Sequence, residues 1–303
     1  MPIEPISPPD SKVWRILHRP LTLIIVAMIL VLVAELAMNA LVFGVQLFGH
    51  VPGGRYIVAL FCGMAIVVAY WVFVRIIERR SVVEELGADG VLGELIFGFG
   101  SGVGLALISL TVLNLLGAIS IVGFIKPQAM MFSFIVALSE ALMLEIVLRG
   151  FIFRQVERFL GSWLTLLGAA IAYGGLPILL GNNVVPLALL ADAVNAGLMF
   201  AAMYMVTRRL WAPIGLHAAW IVAQSSLVTT PMTAGQLSGL LLFDVSGPAW
   251  MTGGNIGWYA SVPAILVSAV FVTYLLVSAV RRHHVVRPAW QRSLIASGLS
   301  AQL

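Results

Sequence analysis

An all-α membrane bundle of about eight transmembrane helices, with both termini in the cytoplasm, is what this sequence predicts. Three observations carry that reading. Of 303 residues, 61% are hydrophobic and 10% charged, with a mean hydropathy of +1.04, whereas a soluble domain spends about a quarter of its residues on charge. Apolar segments long enough for a hydrocarbon core of about 30 Å recur along the whole chain. Lys and Arg gather at alternate segment ends, as the positive-inside rule requires. A pI near 9.6 would also suit nucleic acid, but short basic clusters between apolar runs are explained by topology. The lipid bilayer is therefore the expected partner and nucleic acid is not.

The elements follow in order. Residues 1–20, "MPIEPISPPDSKVWRILHRP", form a polar cytoplasmic segment with Lys12, Arg15 and Arg19. The apolar run that follows is too long for a signal-peptide core, so it is retained as a span over 21–48. With a second span at 55–78 it makes an N-terminal pair, residues 21–80. The charged linker "ERRSVVEELGADGVLGEL", Glu78 to Leu95, reads as an interfacial helix. Further spans are expected at 91–116, 128–152, 160–180, 184–206, 210–228 and 258–281, giving a membrane domain over 81–281. A Gly-rich outer loop at 229–257 interrupts it, and a basic cytoplasmic tail, 282–303, ends it. With eight spans, Arg75, Arg79, Arg80, Arg149, Arg154, Arg158, Arg208, Arg209, Arg281, Arg282, Arg287 and Arg292 all share the N-terminal side. Arg55 and Lys126 alone fall opposite.

Some chemistry is already excluded. Cys62 is the only cysteine, so there is no intrachain disulfide and no thiolate zinc cluster. "GFGSGVG", Gly98 to Gly104, has no strand before it and no lysine after it, so it reads as a close helix-packing stripe rather than a phosphate loop. No internal repeat supports an inverted-repeat transporter.

A charge at mid-bilayer costs at least about 2.5–3.5 kcal/mol on insertion scales, so each one needs a partner or a task. Glu35, Glu94, Glu140, Glu145, Arg149, Asp192 and His217 are the candidates. Glu145 and Arg149 lie one turn apart on one helical face, in the favourable order for pairing. His217 follows Arg209 by eight residues, which sets it about 12 Å below the cytoplasmic surface, and Glu145 lies about 6 Å deeper than Arg149. The three can converge between helices. They read either as a structural ion pair with a packing histidine or as parts of one site.

"LWAPIGLHAAW", "LEIVLRGFIFRQVERFLGSW", "SVVEELG" and "GPAWMTGG" together resemble segments of the CAAX-protease and bacteriocin-processing (CPBP, or Abi) family of glutamate-dependent intramembrane endopeptidases, close to its bacterial members. The likeness covers about residues 80–280. It implies a multi-pass protein of the bacterial plasma membrane and three motifs: Glu-Glu-x-x-x-Arg, Phe-x-x-x-His and His-x-x-x-Asn. Here Glu145 and Arg149 occupy the first, but its leading Glu falls on Leu144. Tyr173 takes the aromatic place in the second, where the His falls on Pro177. His217 opens the third, where the Asn falls on Ile221.

In the family, the resemblance implies, a Glu and His residues activate water while Asn and His hold the oxyanion. Leu144, Pro177 and Ile221 offer neither a base nor a donor. Glu140, one turn before Leu144, is a candidate substitute carboxylate. No cofactor is expected. The alternative is a divalent metal such as zinc on Glu145 and His217, though catalytic zinc normally takes three protein ligands. The retained letters therefore point to a catalytically silent relative that binds a membrane-embedded or lipidated peptide, a lipid or a protein partner. The alternative is an active endopeptidase that processes prenylated or small secreted peptides.

Overall fold

Hydrocarbon allows a spanning backbone two ways to satisfy its polar groups, helix or closed barrel, and this chain takes the first. The computed structural model describes residues 54–124, 130–179, 185–229 and 240–296, together with isolated positions between 22 and 33. The N-terminal segment, the body of the first expected span with Glu35, and Lys126 lie outside the described residues.

Helix α1, Gly54–Val72, runs on as a π-helical turn, Phe73–Ile77. After a charged linker comes α2, Val91–Leu115, and then strand β1, Ile119–Phe124. Helix α3, Met130–Glu145, passes into a π-helical stretch, Ile146–Phe153, which leads directly into α4, Arg154–Leu179. Helix α5 covers Pro186–Thr207, with a π-helical segment at Ala193–Met199. Helix α6, Trp211–Val222, ends in a π-helical turn, Ala223–Leu227. Strands β2, Val228–Thr229, and β3, Leu241–Val245, precede the short α7, Ala249–Thr252. Helix α8, Val262–Arg281, and the terminal α9, Ala289–Ala296, complete the order. Among the described residues α2, α5 and α8 are long and apolar enough to cross a membrane, and Gly63–Ile77 is a shorter apolar helix.

Three expectations need correction. The outer region is not all helical: β1 pairs antiparallel with β3, Ile119 opposite Val245, through a bulge between Ile121 and Gly123, and β2 pairs parallel with β3. "ISIVGF" and "LLFDV" are too short to span and rich in residues that suit a pleated surface, so pairing satisfies their backbone. No loop separates the fourth and fifth spans: the chain stays helical to Leu160 and turns at Gly161 alone, whose φ of 78° and ψ of 168° break the helix. Arg154, Glu157 and Arg158 look like loop residues in sequence, yet ion pairs with Glu78, Glu85 and Arg208 hold them on a projecting helix end. The linker before α2 is not an interfacial helix but a single 3-10 turn, Glu84–Leu86, because Glu85 is drawn inward to arginines.

The glycine stripe does what its composition requires. A Cβ on Gly98 would meet the Ala212 carbonyl oxygen at 2.0 Å, one on Gly102 the Ala219 Cβ at 2.6 Å, and one on Gly215 the Leu95 carbonyl oxygen at 2.4 Å. The backbones of α2 and α6 therefore touch, as small-residue packing permits in lipid. Elsewhere larger rings fill the core, with Phe151 set edge-on against Tyr70 and Phe73 at centroid distances of 5.0 and 4.9 Å.

Candidate functional site

The α2–α6 contact fixes where His217 stands. Its imidazole is stacked on Phe200 of α5, with ring centroids 4.1 Å apart and planes 18° from parallel. That stacking turns Nδ1 toward Glu145 on α3, whose Oε1 lies 2.7 Å away. An ionised carboxylate only accepts, so Nδ1 carries the proton in this bond.

One turn after Glu145, Arg149 enters the same cluster from the π-helical stretch. Its Nη1 donates to Glu145 Oε1 at 3.2 Å and to the Tyr173 hydroxyl of α4 at 3.2 Å. Its Nη2 donates to the Ala196 carbonyl. The guanidinium also lies over two aromatic rings, 5.4 Å from the Tyr173 centroid and 5.6 Å from that of Phe200. Such contacts are worth about 0.5–2 kcal/mol each and hold a desolvated cation in place. Glu145 is 0% exposed and Arg149 1%, so the pair is sealed from solvent. The π-helical stretches carrying Arg149 and Ala196 both lie at this cluster, a placement common at functional sites.

The cluster contains the three retained motif residues, and it adds three groups that sequence reasoning did not assign to it. Tyr173 was visible as the aromatic motif position, but nothing in the letters showed its hydroxyl meeting Arg149. Phe200 and the Ala196 carbonyl share one face of α5, i and i+4, without a polar letter to mark them. The degenerate positions behave as hydrocarbon. Leu144 and Ile221 are half-buried, with Ile221 packed on the main core, and the Pro177 side chain lies outside the described residues. Glu140 is exposed and makes no bond to the cluster. Of the other membrane charges, Glu94 pairs with Arg209 at 3.0 Å and Asp192 is half-buried.

A second charged network ties the linker before α2 to the start of α4. Arg154 Nη1 lies 2.8 Å from Glu78 and 3.1 Å from Glu85, and Arg80 Nη2 lies 2.8 Å from Glu85. Burial pushes the Glu85 carboxyl up, but Arg154 and Arg80 outweigh it and hold the group below its ordinary 4.5. Glu78 is lowered in the same way, with Arg154 and Arg158 overcoming its burial. This network fastens the linker to the start of α6: the Leu210 amide donates to the Glu85 carbonyl at 2.9 Å, and Trp211 Nε1 to the Gly87 carbonyl at 3.0 Å. "SVVEELG" and "LWAPIGLH", far apart in sequence, are thereby joined at the start of the helix that carries His217.

Metal ligation does not fit these residues. Glu145 and His217 bond each other directly, and among the described residues no group of three or more His, Cys, Asp or Glu could hold an ion. Two donors fall short of a catalytic zinc set.

The helical bundle thus draws a buried Glu, Arg and His together between its helices. Residues 126–223 match the family model described as Rce1-like, type II CAAX prenyl endopeptidase. That stretch holds Glu145, Arg149, Tyr173 and His217, and it overlaps the segments whose motifs resemble the CAAX-protease family. No curated protein and no solved structure matches the chain.

Proposed function

We propose that this multi-pass membrane protein is a non-hydrolysing member of the CAAX-protease family, which uses the cluster between its helices to bind a membrane-embedded or lipidated peptide. The proposal includes eight spans, cytoplasmic termini and a bacterial plasma membrane, which the distribution of Lys and Arg and the resemblance support. One observation carries it: Glu145 Oε1 is already engaged by both Arg149 and His217, while Leu144 and Ile221 put hydrocarbon where the motifs call for a carboxylate and an amide. A general base needs a free carboxylate or imidazole within reach of water, and an oxyanion needs donors aimed at it. What remains is a closed ion pair inside a recognition site.

One observation favours the active alternative. Glu145 Oε2 is buried and has no hydrogen-bond partner among the described residues, so it is an acceptor that a hydrolytic water would use.

The test is a cleavage assay in lipid nanodiscs with farnesylated CAAX-type and small secreted peptides. It sets wild type beside His217→Ala and a triple variant, Leu144→Glu, Pro177→His and Ile221→Asn. The proposal expects no turnover from wild type and measurable turnover from the triple variant. Wild-type turnover that disappears in His217→Ala would overturn it in favour of the active reading.

A further inference from the structure

The cluster is short of two hydrogen-bond partners, and both shortfalls point the same way. Tyr173 accepts from Arg149 Nη1 through its hydroxyl oxygen. A tyrosine hydroxyl also carries a hydrogen to donate, and no described residue accepts it. The side chain is only half-buried, so an arriving group can reach it. Glu145 has the opposite deficit: Oε1 is taken and Oε2, in a side chain that is 0% exposed, has no donor among the described residues. An unsatisfied buried polar atom costs about 1–3 kcal/mol, more when charged, and such groups in folded proteins call for an explanation.

The missing pair is one acceptor beside Tyr173 and one donor beside Glu145. Tyr173 Oη and Glu145 Oε1 both lie 3.2 Å from the same Arg149 nitrogen, so the two residues with a deficit are held by one guanidinium. A residue in extended conformation presents its own C=O and N–H along the same edge, the pairing that an antiparallel ladder exploits. Side chains of a ligand vary, whereas this pair belongs to any peptide backbone.

We propose that Tyr173 is the recognition residue of this site, its hydroxyl donating to a backbone carbonyl of an extended, membrane-borne peptide whose adjacent N–H turns toward Glu145 Oε2. Tyr173 thus supplies a donor where Pro177 and Ile221 supply none. The phenol oxygen, pinned by Arg149, is oriented before the ligand arrives, which lowers the ordering cost of binding. This inference rests on the peptide-binding reading above, and it assigns that binding to one hydroxyl.

The test measures binding by fluorescence anisotropy, with a fluorescein-labelled farnesylated peptide as probe and a set of the same peptide in which each backbone amide in turn is an ester. An ester lacks the N–H and has a weaker acceptor carbonyl. In wild type, Tyr173→Phe is expected to weaken the amide probe several-fold, up to about tenfold. One ester position should weaken wild type by a similar factor and leave Tyr173→Phe unaffected further, since the two changes remove one bond. A merely structural tyrosine would give losses that multiply. Equal binding by wild type and Tyr173→Phe overturns the assignment. If Tyr173→Phe does not fold, the ester set on wild type decides alone: an ester scan without a weak position overturns it. Failure of wild type to bind any probe removes the peptide-binding reading itself, and the assignment with it.

Discussion

Gly98→Ala isolates the contact that positions His217. The new methyl carbon would stand 2.0 Å from the Ala212 carbonyl oxygen, 2.8 Å from the carbonyl carbon and 2.9 Å from the Leu216 amide nitrogen. All three are backbone atoms, so no rotamer change relieves the overlap. Relief requires α6 to retreat by roughly 1.4 Å, the shortfall between 2.0 Å and the 3.4 Å at which ordinary contact begins. The 2.7 Å bond between His217 and Glu145 does not survive a shift of that size. Gly100→Ala, half a turn away on the same helix, meets nothing within 4 Å. Both substitutions gain the same helix propensity, about 1 kcal/mol. Their difference is therefore the overpacking cost alone, about 1–3 kcal/mol and occasionally more. Thermal unfolding in nanodiscs, followed by circular dichroism, should place Gly98→Ala below wild type and Gly100→Ala at or above it. Coincident melting curves for the two alanine variants would refute the backbone contact and, with it, the account of how His217 is held.

Arg149→Met leaves the Glu145 carboxylate buried without its cation, a loss of about 3–5 kcal/mol, and adding Glu145→Gln should recover part of the melting temperature; a single variant as stable as wild type would contradict the ion-pair reading. The network of Glu78 and Glu85 with their arginines makes stability depend on acid. Glu78 and Glu85 titrate below 4.5 when folded, so their contribution is complete above about pH 4.5 and drains away as pH falls through the lowered values. Glu85→Gln should flatten this acid limb in melts taken across that range, and an unchanged limb would assign it to other groups. Gly161→Ala combines a left-handed φ of 78° with a Cβ only 2.8 Å from Pro288. It should break the bonds of Ser162 to Val286, 3.0 Å and 2.8 Å long, and speed tryptic cleavage at Arg292; an unchanged cleavage rate would show that the tail does not depend on this turn.

Apolar segment length and glycine spacing were legible because they act locally. The helices expected at 91–116, 184–206 and 258–281 stand at Val91–Leu115, Pro186–Thr207 and Val262–Arg281. Where the letters misled, a distant partner had changed their meaning. Arg154, Glu157 and Arg158 look like a connector until Glu78, Glu85 and Arg208 are set beside them. "ISIVGF" looks like a loop until Leu241–Val245 pairs with it. The same holds at the site. Glu145, Arg149 and His217 could be singled out because charge in hydrocarbon is costly wherever it lies. Phe200 and the Ala196 carbonyl could not, since a phenyl ring and a backbone oxygen become site groups only through what they face.

By itself, then, the sequence determined that this chain lives in a membrane, which segments are helical, and which few polar residues need a reason to be there. Transfer energies and helix periodicity depend only on neighbours in the chain. The tertiary structure alone decided that Glu145 shares one oxygen between Arg149 and His217, that its other oxygen has no partner among the described residues, and that the Tyr173 hydroxyl meets the same guanidinium. Those facts join residues from three helices that the chain keeps 24 to 72 positions apart. A hydrogen bond is defined by position to a few tenths of an ångström, and only the packed bundle sets positions that finely.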